Sequence, residues 1–332
     1  MSRVSFSLGM AAAVAVLVAA GAADAKNYRI AFLAASSQGG FGQAIYNGIK
    51  QEASQRGNVD VEIFDGEYNA AHQYSQVEDL VASKKFDGFI ITPNDNVGIA
   101  PAITEATKAG LKVATTLFPI GPRLDTLEPQ VPGLTVTVAS DPAIGAKLQA
   151  DGVVKFCADK NPCNVVIMIG QKIYPFDNLR LKTYTDTLAG HDNIKIVATV
   201  EGNYDPDTSL KAMQNVLQAH KDLNVILSNA DQHLMGAEIA LDDAGIPIEP
   251  LYLSGGGASE VAVERVKAGK WDVTLANFPT QMGIKALDAI VDSLEGKTVP
   301  TVIDSDKIGP VPVMVDKAVL DANPSFKGDW KG

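Results

Sequence analysis

Histidine is scarce in this sequence of 332 residues, and its four histidines form no His-x-x-x-His pair. A helical zinc-hydrolase site is therefore not expected, because it needs two imidazoles one helical turn apart. No Gly-x-Ser-x-Gly nucleophile elbow occurs either. Gly296-Lys297-Thr298 could end a phosphate-binding loop, but Val291 stands where that loop requires glycine. These absences predict a protein that is not an enzyme and that carries no metal and no cofactor.

A dinucleotide-binding fingerprint is also incomplete. The loop Gln38–Gly42 separates the first predicted strand from the first predicted helix, and Asp65 follows the second strand. A nicotinamide site would need Gly-x-Gly-x-x-Gly in this loop. Counted from Gly40, the third glycine position holds Ile45, whose bulk would keep the helix away from a pyrophosphate.

Basic residues are outnumbered, with 28 Lys and Arg against 39 Asp and Glu and a formal net charge of −11. Such a surface repels phosphate backbones and anionic lipids, so neither nucleic acid nor a membrane surface is expected as a partner. The sequence has one long apolar run, Leu8–Ala20, with Arg3 before it and Ala23-Asp24-Ala25 after it. This pattern predicts a cleaved signal peptide over residues 1–25 and a soluble periplasmic protein that begins near Lys26.

The only cysteines are Cys157 and Cys163, which are close neighbours in the chain. In an oxidising compartment this spacing favours a local disulfide at a turn between a helix and a strand. Two unpaired thiols remain the alternative. One cysteine pair without a nearby histidine provides too few ligands for a structural metal.

Apolar strands alternate with amphipathic helices over most of the chain, which predicts an α/β fold with doubly wound parallel sheets and right-handed crossovers. The strands are continuously apolar, as strands buried on both faces must be. They are predicted at 28–35, 59–64, 88–91, 113–117, 134–138, 164–169, 194–200, 225–227, 251–253 and 273–276. Helices are predicted at 41–56, 70–83, 97–109, 142–157, 178–188, 208–219, 231–244 and 280–294. The stretch Pro119–Gly133 interrupts the alternation of strands and helices, which begins again after it. We therefore expect two similar lobes.

Ligands of open parallel sheets bind at the carboxyl ends of the strands. The loops at those ends are rich in hydrogen-bonding and aromatic side chains, which makes them the candidate ligand-binding residues. Some have simpler interpretations, since Asp95 and Asp231 could be helix N-caps and Phe118 and Phe176 could be core. The candidates are Ser36, Ser37, Gln38, Phe41, Asn94, Asp95, Thr116, Phe118, Tyr174, Phe176, Asp177, Arg180, Tyr204, Asn229, Asp231, Asn277 and Gln281.

The order of several short motifs resembles the ribose- and galactose-binding class of type I periplasmic proteins that serve ABC importers. The motifs are Ile30-Ala31-Phe32, Val77-Glu78-Asp79-Leu80, Phe86-Asp87-Gly88-Phe89-Ile90-Ile91-Thr92-Pro93, Val138-Ala139-Ser140-Asp141, Asn229-Ala230-Asp231 and Ala276-Asn277-Phe278-Pro279-Thr280-Gln281-Met282-Gly283.

The resemblance implies two lobes that close over a small-molecule ligand, joined by three crossings near Ser140, Phe278 and Asp304. The N-terminal lobe would comprise residues 26–139 plus 278–304, and the C-terminal lobe 140–277 plus 305–332. It also implies a monomer whose protein partner is an ABC permease in the inner membrane.

The resemblance also assigns roles to four candidates. Phe41 and Tyr204 would be the aromatic residues that stack on a sugar ring from the two lobes. Arg180 would grip ring oxygens, and Asn277 would contact the ligand from the hinge.

Two departures from that class concern its carboxylates. Thr116-Leu117-Phe118 stands where sugar binders carry an acidic residue, and Gly255-Gly256-Gly257 stands where they carry an aspartate. Carboxylates accept pairs of sugar hydroxyls, so we expect a smaller polyol, a modified or autoinducer-like carbohydrate, or a more apolar solute. The alternatives are a periplasmic sensor partner of a membrane receptor and an importer component for a non-sugar molecule.

Overall fold

A computed structural model describes residues 26–332 together with Met1. The signal peptide predicted over residues 1–25 lies outside the described residues. Within the part described, no helix has both the length and the apolar character needed to cross a membrane.

Strands and helices alternate from Tyr28 to Ala322. In chain order they are β1 (Tyr28–Ala34), α1 (Gly40–Arg56), β2 (Val59–Asp65), α2 (Ala70–Ser83), β3 (Gly88–Ile91), α3 (Ala100–Lys108), β4 (Lys112–Leu117), β5 (Val136–Ala139), α4 (Pro142–Phe156), β6 (Cys163–Ile169), α5 (Pro175–Ala189), β7 (Ile194–Glu201), α6 (Pro206–Ala219), β8 (Val225–Ser228), α7 (Asp231–Asp243), β9 (Tyr252–Gly257), α8 (Glu260–Lys267), β10 (Val273–Ala276), α9 (Pro279–Leu294), β11 (Val302–Asp304), β12 (Met314–Asp316) and α10 (Lys317–Ala322).

These strands form two six-stranded sheets of the same plan, which confirms the predicted fold class. The first has the order β11-β5-β4-β3-β1-β2 and the second β12-β10-β9-β8-β6-β7. The paired strands of the first sheet run parallel, whereas β12 runs antiparallel to β10 at the edge of the second. Central strands such as β3 and β8 are buried along their whole length, because helices cover both faces of each sheet.

The predicted strands are all present, most of them with shifted ends, and two short strands and two short helices were missed. β11 and β12 have three residues each, and α8 and α10 are short helices. Elements of this length show too little periodicity to be recognised. The predicted helix starting at Asn178 begins three residues earlier in the structure, because Pro175 is favourable in the first helical turn.

The chain passes between the two sheets three times: between β5 and α4, between β10 and α9, and between β11 and β12. The residue-level lobe boundaries remain a prediction. We use "N-terminal lobe" for the first sheet with its helices and "C-terminal lobe" for the second.

Helix α9 completes the N-terminal lobe although it follows almost the whole of the C-terminal lobe in sequence. It packs on α1 at two glycines. A Cβ atom at Gly48 would lie 2.0 Å from the carbonyl oxygen of Thr280, and one at Gly283 would lie 2.1 Å from that of Ile45. The two backbones are therefore in direct contact, and neither position has space for a side chain.

Cys157 and Cys163 are both buried, and their Sγ atoms lie 2.08 Å apart with a Cα–Cα distance of 5.7 Å. This is the separation of a disulfide between the end of α4 and the start of β6.

An acidic group lies at the third crossing, and it makes stability depend on pH. Burial and the neighbouring Asp304 raise the pKa of Asp306 to about 6, with Asp141 acting in the same direction and Lys307 opposing them. An aspartate in the unfolded chain has a pKa of about 3.9. The folded protein therefore holds this proton more tightly, and the stability that it contributes is lost as pH rises from about 4 through 6.

Asp306→Asn removes this titration. We expect the variant to gain stability relative to the wild type at pH 7.5 and to gain much less at pH 4. Urea unfolding of both proteins at the two pH values measures the difference. An equal difference at both pH values would contradict the assignment.

Candidate functional site

A cavity of about 90 Å³ lies between the carboxyl ends of the two sheets. A cavity of this volume accepts only a small ligand. Residues from both lobes line it: Ala35, Ser36, Phe41, Gly42, Ile45, Tyr68, Thr92, Pro93, Asn94, Leu117, Phe118, Tyr174, Phe176, Arg180, Tyr204, Asn229, Ala230, Gln232, Gly256, Gly257, Asn277 and Trp330.

The polar corner of the cavity belongs to the C-terminal lobe and is organised by Asp177. This carboxylate accepts hydrogen bonds from the Tyr204 hydroxyl at 2.6 Å and from Asn229 Nδ2 at 2.8 Å, and the backbone N–H of Gln171 donates to its other oxygen at 2.8 Å. Burial raises the pKa of Asp177, while Arg180 and these donors oppose that rise. Because its oxygens are occupied, Asp177 positions the side chains around it and does not itself line the cavity.

Arg180 is the cation of the site. Its guanidinium reaches Asp177 through a single long contact, Nη1 to Oδ1 at 3.5 Å. The rest of the group lies over the ring of Phe118, 5.1 Å from its centroid, and the whole residue is only 8% exposed. A guanidinium carries five N–H donors, so most of them remain available to acceptor atoms of a ligand.

Aromatic side chains close the cavity from both lobes. Phe118 of the N-terminal lobe stacks on Phe176 of the C-terminal lobe, with centroids 3.8 Å apart and an interplanar angle of 15°. The Tyr174 hydroxyl donates to the carbonyl oxygen of Tyr68 at 2.6 Å, across the same gap. The lobes are therefore in contact beside the cavity, and a ligand held inside would be shielded from much of the bulk water.

Several of the predicted site residues are brought together around the cavity, although which of them contact a ligand remains a prediction. Asn277 approaches from the second crossing, and Phe41 lies in the first turn of α1. The predicted residues that line the cavity are Ser36, Phe41, Asn94, Phe118, Tyr174, Phe176, Arg180, Tyr204, Asn229 and Asn277.

Others serve local structure instead. Ser37 and Gln38 bind the carboxylate of Asp65 with their side chains. Asp95 accepts hydrogen bonds from the backbone N–H groups of Val97 and Gly98 in the turn before α3. The N-cap of α3 is Ile99, so the interpretation of Asp95 as a helix N-cap is wrong, and its side chain stabilises the turn.

Thr116, Asp231 and Gln281 lie outside the cavity lining as well. Thr116 forms a hydroxyl pair with Thr92 at 2.6 Å. Asp231 accepts from the Ser259 backbone N–H and the Thr274 hydroxyl, each at 2.8 Å, and burial raises its pKa to about 6. Gln281 lines a separate surface groove beside residues 323–329.

Sequence reasoning missed several lining residues, including Tyr68, Gln232 and Trp330. Tyr68 follows β2, and the rule of strand ends would have found it had it been applied to that strand. Trp330 lies two residues from the end of the sequence, where no local pattern indicates a site.

No carboxylate lines the cavity among the residues that the structure describes. Its hydrogen-bonding groups are the Arg180 guanidinium, side-chain amides and hydroxyls. Asn229 is informative here, because its buried Oδ1 has no hydrogen-bond partner within residues 26–332. A buried acceptor without a partner costs free energy, so a donor from a ligand would stabilise the closed site. In the same part of the chain, no group of three His, Cys, Asp or Glu side chains could hold a metal ion.

Comparison with known proteins gives consistent results. The profile of the periplasmic binding protein domain family matches residues 30–298. The chain is 27% identical over 286 residues to the ribose import binding protein of Bacillus subtilis (strain 168). The alignment covers 84% of this chain and 86% of that protein. It is also 27% identical over 297 residues to a putative rhizopine-binding protein of Rhizobium meliloti, covering 89% and 92%.

Among solved structures, the chain is similar to an ABC transporter periplasmic solute binding protein from Actinobacillus succinogenes 130z with bound D-allose. The TM-score is 0.76 at 26% identity, covering 89% of this chain and 100% of that one.

Proposed function

Given that this chain belongs to the periplasmic binding protein family of ABC importers, we propose that it captures a monosaccharide-sized carbohydrate between its two lobes. The family consists of proteins that bind solutes for transport, and its members are not enzymes. The observation that carries the ligand assignment is the cavity of about 90 Å³ between the lobes, which is lined by aromatic rings from both lobes, by side-chain amides and by one guanidinium. Rings pack on the apolar faces of a sugar, and amides and guanidinium bind its hydroxyls.

We place the mature protein in the periplasm, exported through the predicted signal peptide and carrying the Cys157–Cys163 disulfide. Its partner would be a membrane permease, and the protein would act as a monomer. Closure of the lobes over the ligand would create the composite surface that the permease reads, because neither lobe alone reports occupancy.

We further propose that the ligand is poor in hydroxyl groups, such as a deoxy sugar. Each sugar hydroxyl can donate one hydrogen bond, and a carboxylate can accept hydrogen bonds from two hydroxyls. The carboxylates of Asp65, Asp177 and Asp231, which follow strand ends, are engaged by protein donors. Asn229 Oδ1 and the amides of Gln232 and Asn277 provide few acceptors in their place.

Thermal unfolding of the mature protein with sugars tests both statements. The useful pair is D-fucose and D-galactose, which differ only in the hydroxyl at C6. Ligand at one hundred times its dissociation constant adds about 2.7 kcal/mol, which raises the midpoint by several degrees. We expect D-fucose to stabilise more than D-galactose at equal concentration.

The reverse order for this pair would contradict the hydroxyl-poor ligand class and leave the carbohydrate assignment intact. A response to amino acids or aromatic acids, with none to D-fucose, D-galactose, D-allose or myo-inositol, would contradict the carbohydrate assignment itself.

A further inference from the structure

The last residues of the chain reach the ligand cavity. We define the C-terminal segment as residues 323–332, which follow α10. Its Trp330 is 4% exposed and lines the cavity. The indole Nε1 donates to the carbonyl oxygen of Gly257 at 2.8 Å, and the Trp330 carbonyl oxygen accepts from the backbone N–H of Glu260 at 2.7 Å. Side chain and backbone thus anchor this residue to the C-terminal lobe.

The same segment also contacts the N-terminal lobe. The rings of Trp330 and Phe41 meet edge to face, with centroids 5.5 Å apart and an interplanar angle of 84°. Asp329 Oδ2 accepts a hydrogen bond from the backbone N–H of Thr280 at 3.0 Å, at the start of α9. The segment therefore bridges the cleft beside the cavity in the closed protein.

The glycines at the end of β9 provide the space that the indole occupies. Gly257 has φ +125°, and a Cβ atom there would lie 2.4 Å from Trp330 Cζ2. A side chain at position 257 would therefore overlap with the indole. This is the strand end where the sequence departs from the sugar binders that it resembles, by carrying glycine in place of aspartate. At this strand end the chain therefore presents an apolar ring from the C-terminal segment and no carboxylate.

We propose that Trp330 determines ligand specificity, as the apolar wall on which one face of the ligand packs. This inference rests on the proposed function. Because the indole is held by the C-terminal lobe and meets Phe41 of the N-terminal lobe, the wall is complete only when the lobes close. A ligand that presents an apolar edge to this wall is favoured, and one that presents a hydroxyl there loses a hydrogen bond to water without replacement.

The placement of the indole can be tested by fluorescence. The sequence has two tryptophans, and Trp271 lies in the core of the C-terminal lobe, where its Nε1 donates to Glu238. Trp271→Phe leaves Trp330 as the sole tryptophan. We expect its emission to shift to longer wavelength on unfolding in urea, and its quenching by acrylamide to decrease when D-fucose is added. An emission in buffer equal to that of the unfolded chain would overturn the proposal.

The specificity role is tested by calorimetry with D-fucose and D-galactose. Truncating a central aromatic contact costs a factor of about 30 or more in affinity. We expect Trp330→Ala to lose that factor for D-fucose and to lose less for D-galactose, which reduces the discrimination between the two sugars. Trp330→Phe keeps a ring in the wall and should retain most of the affinity, which guards against a misfolded alanine variant.

Phe326→Ala is the matched control. Phe326 belongs to the same segment but packs against the core of the C-terminal lobe, outside the cavity lining, so its loss should leave affinity unchanged. Equal affinities of the wild type and Trp330→Ala would overturn the role of Trp330 and leave the proposed function standing. A different outcome would be a shielded indole in a wild-type protein that binds none of D-fucose, D-galactose, D-allose and myo-inositol. That outcome would contradict the carbohydrate function, and the role of Trp330 in sugar specificity would fail with it.

Discussion

Replacing Arg180 by alanine is expected to weaken ligand binding by a factor of about 30 or more, the effect of truncating an arginine at the centre of a desolvated binding site. Arg180 is the one cation that lines the cavity within residues 26–332, and most of its N–H donors are free for a ligand. The substitution also removes the planar guanidinium that lies over the ring of Phe118. Isothermal titration with the sugar that stabilises the wild type most strongly measures the change.

The fold should survive this substitution, because Asp177 keeps its hydrogen bonds from Tyr204, Asn229 and Gln171. Arg180→Lys retains the charge but not the planar fork, so an intermediate affinity is expected. Arg265→Ala serves as the control, since Arg265 pairs with Glu238 away from the cavity. An Arg180→Ala protein with wild-type affinity would remove Arg180 from the binding site.

Gly48→Ala is expected to lower the free energy of unfolding by about 3 kcal/mol or more, at the upper end of the cost of overpacking a core. The added methyl group would lie 2.0 Å from the carbonyl oxygen of Thr280. The opposing atom belongs to a helix backbone, so relief requires α1 and α9 to separate. Urea unfolding monitored by circular dichroism measures the change.

Gly190→Ala is the matched control for this prediction. It adds the same methyl group at a φ of −72°, where the nearest atom lies 3.8 Å away. A change close to zero, or slightly stabilising, is expected there. If Gly48→Ala were as stable as Gly190→Ala, the close contact of α1 with α9 would not contribute to the stability of the N-terminal lobe.

The sequence was sufficient to predict the two-sheet architecture because its main strands are buried on both faces. Strands such as β1 and β6 read as continuous apolar runs, and this pattern does not depend on distant contacts. The edge strands β11 and β12 were missed since three residues in a stretch rich in proline and glycine carry no such pattern.

The sequence predicted the site only through the rule that ligands bind at the carboxyl ends of parallel strands. That rule located Arg180, Asn229 and Phe41 near one cavity. It could not separate side chains that face the cavity from those that organise it, and Asp177 and Asp231 prove to be engaged by protein donors. The stacking of Phe118 on Phe176 depends on how two lobes meet, which no local pattern contains.

The interleaving of the two lobes along the chain has a consequence for synthesis. A polypeptide growing from its N-terminus completes β1–β5 early, yet α9, which covers α1, begins only at Pro279, and the edge strand β11 only at Val302. The second sheet likewise waits for β12 at Met314. Neither sheet can therefore be completed on the ribosome before residues 302–316 have been synthesised. Until then α1 lacks the helix that packs on it, and each sheet lacks one of its edge strands.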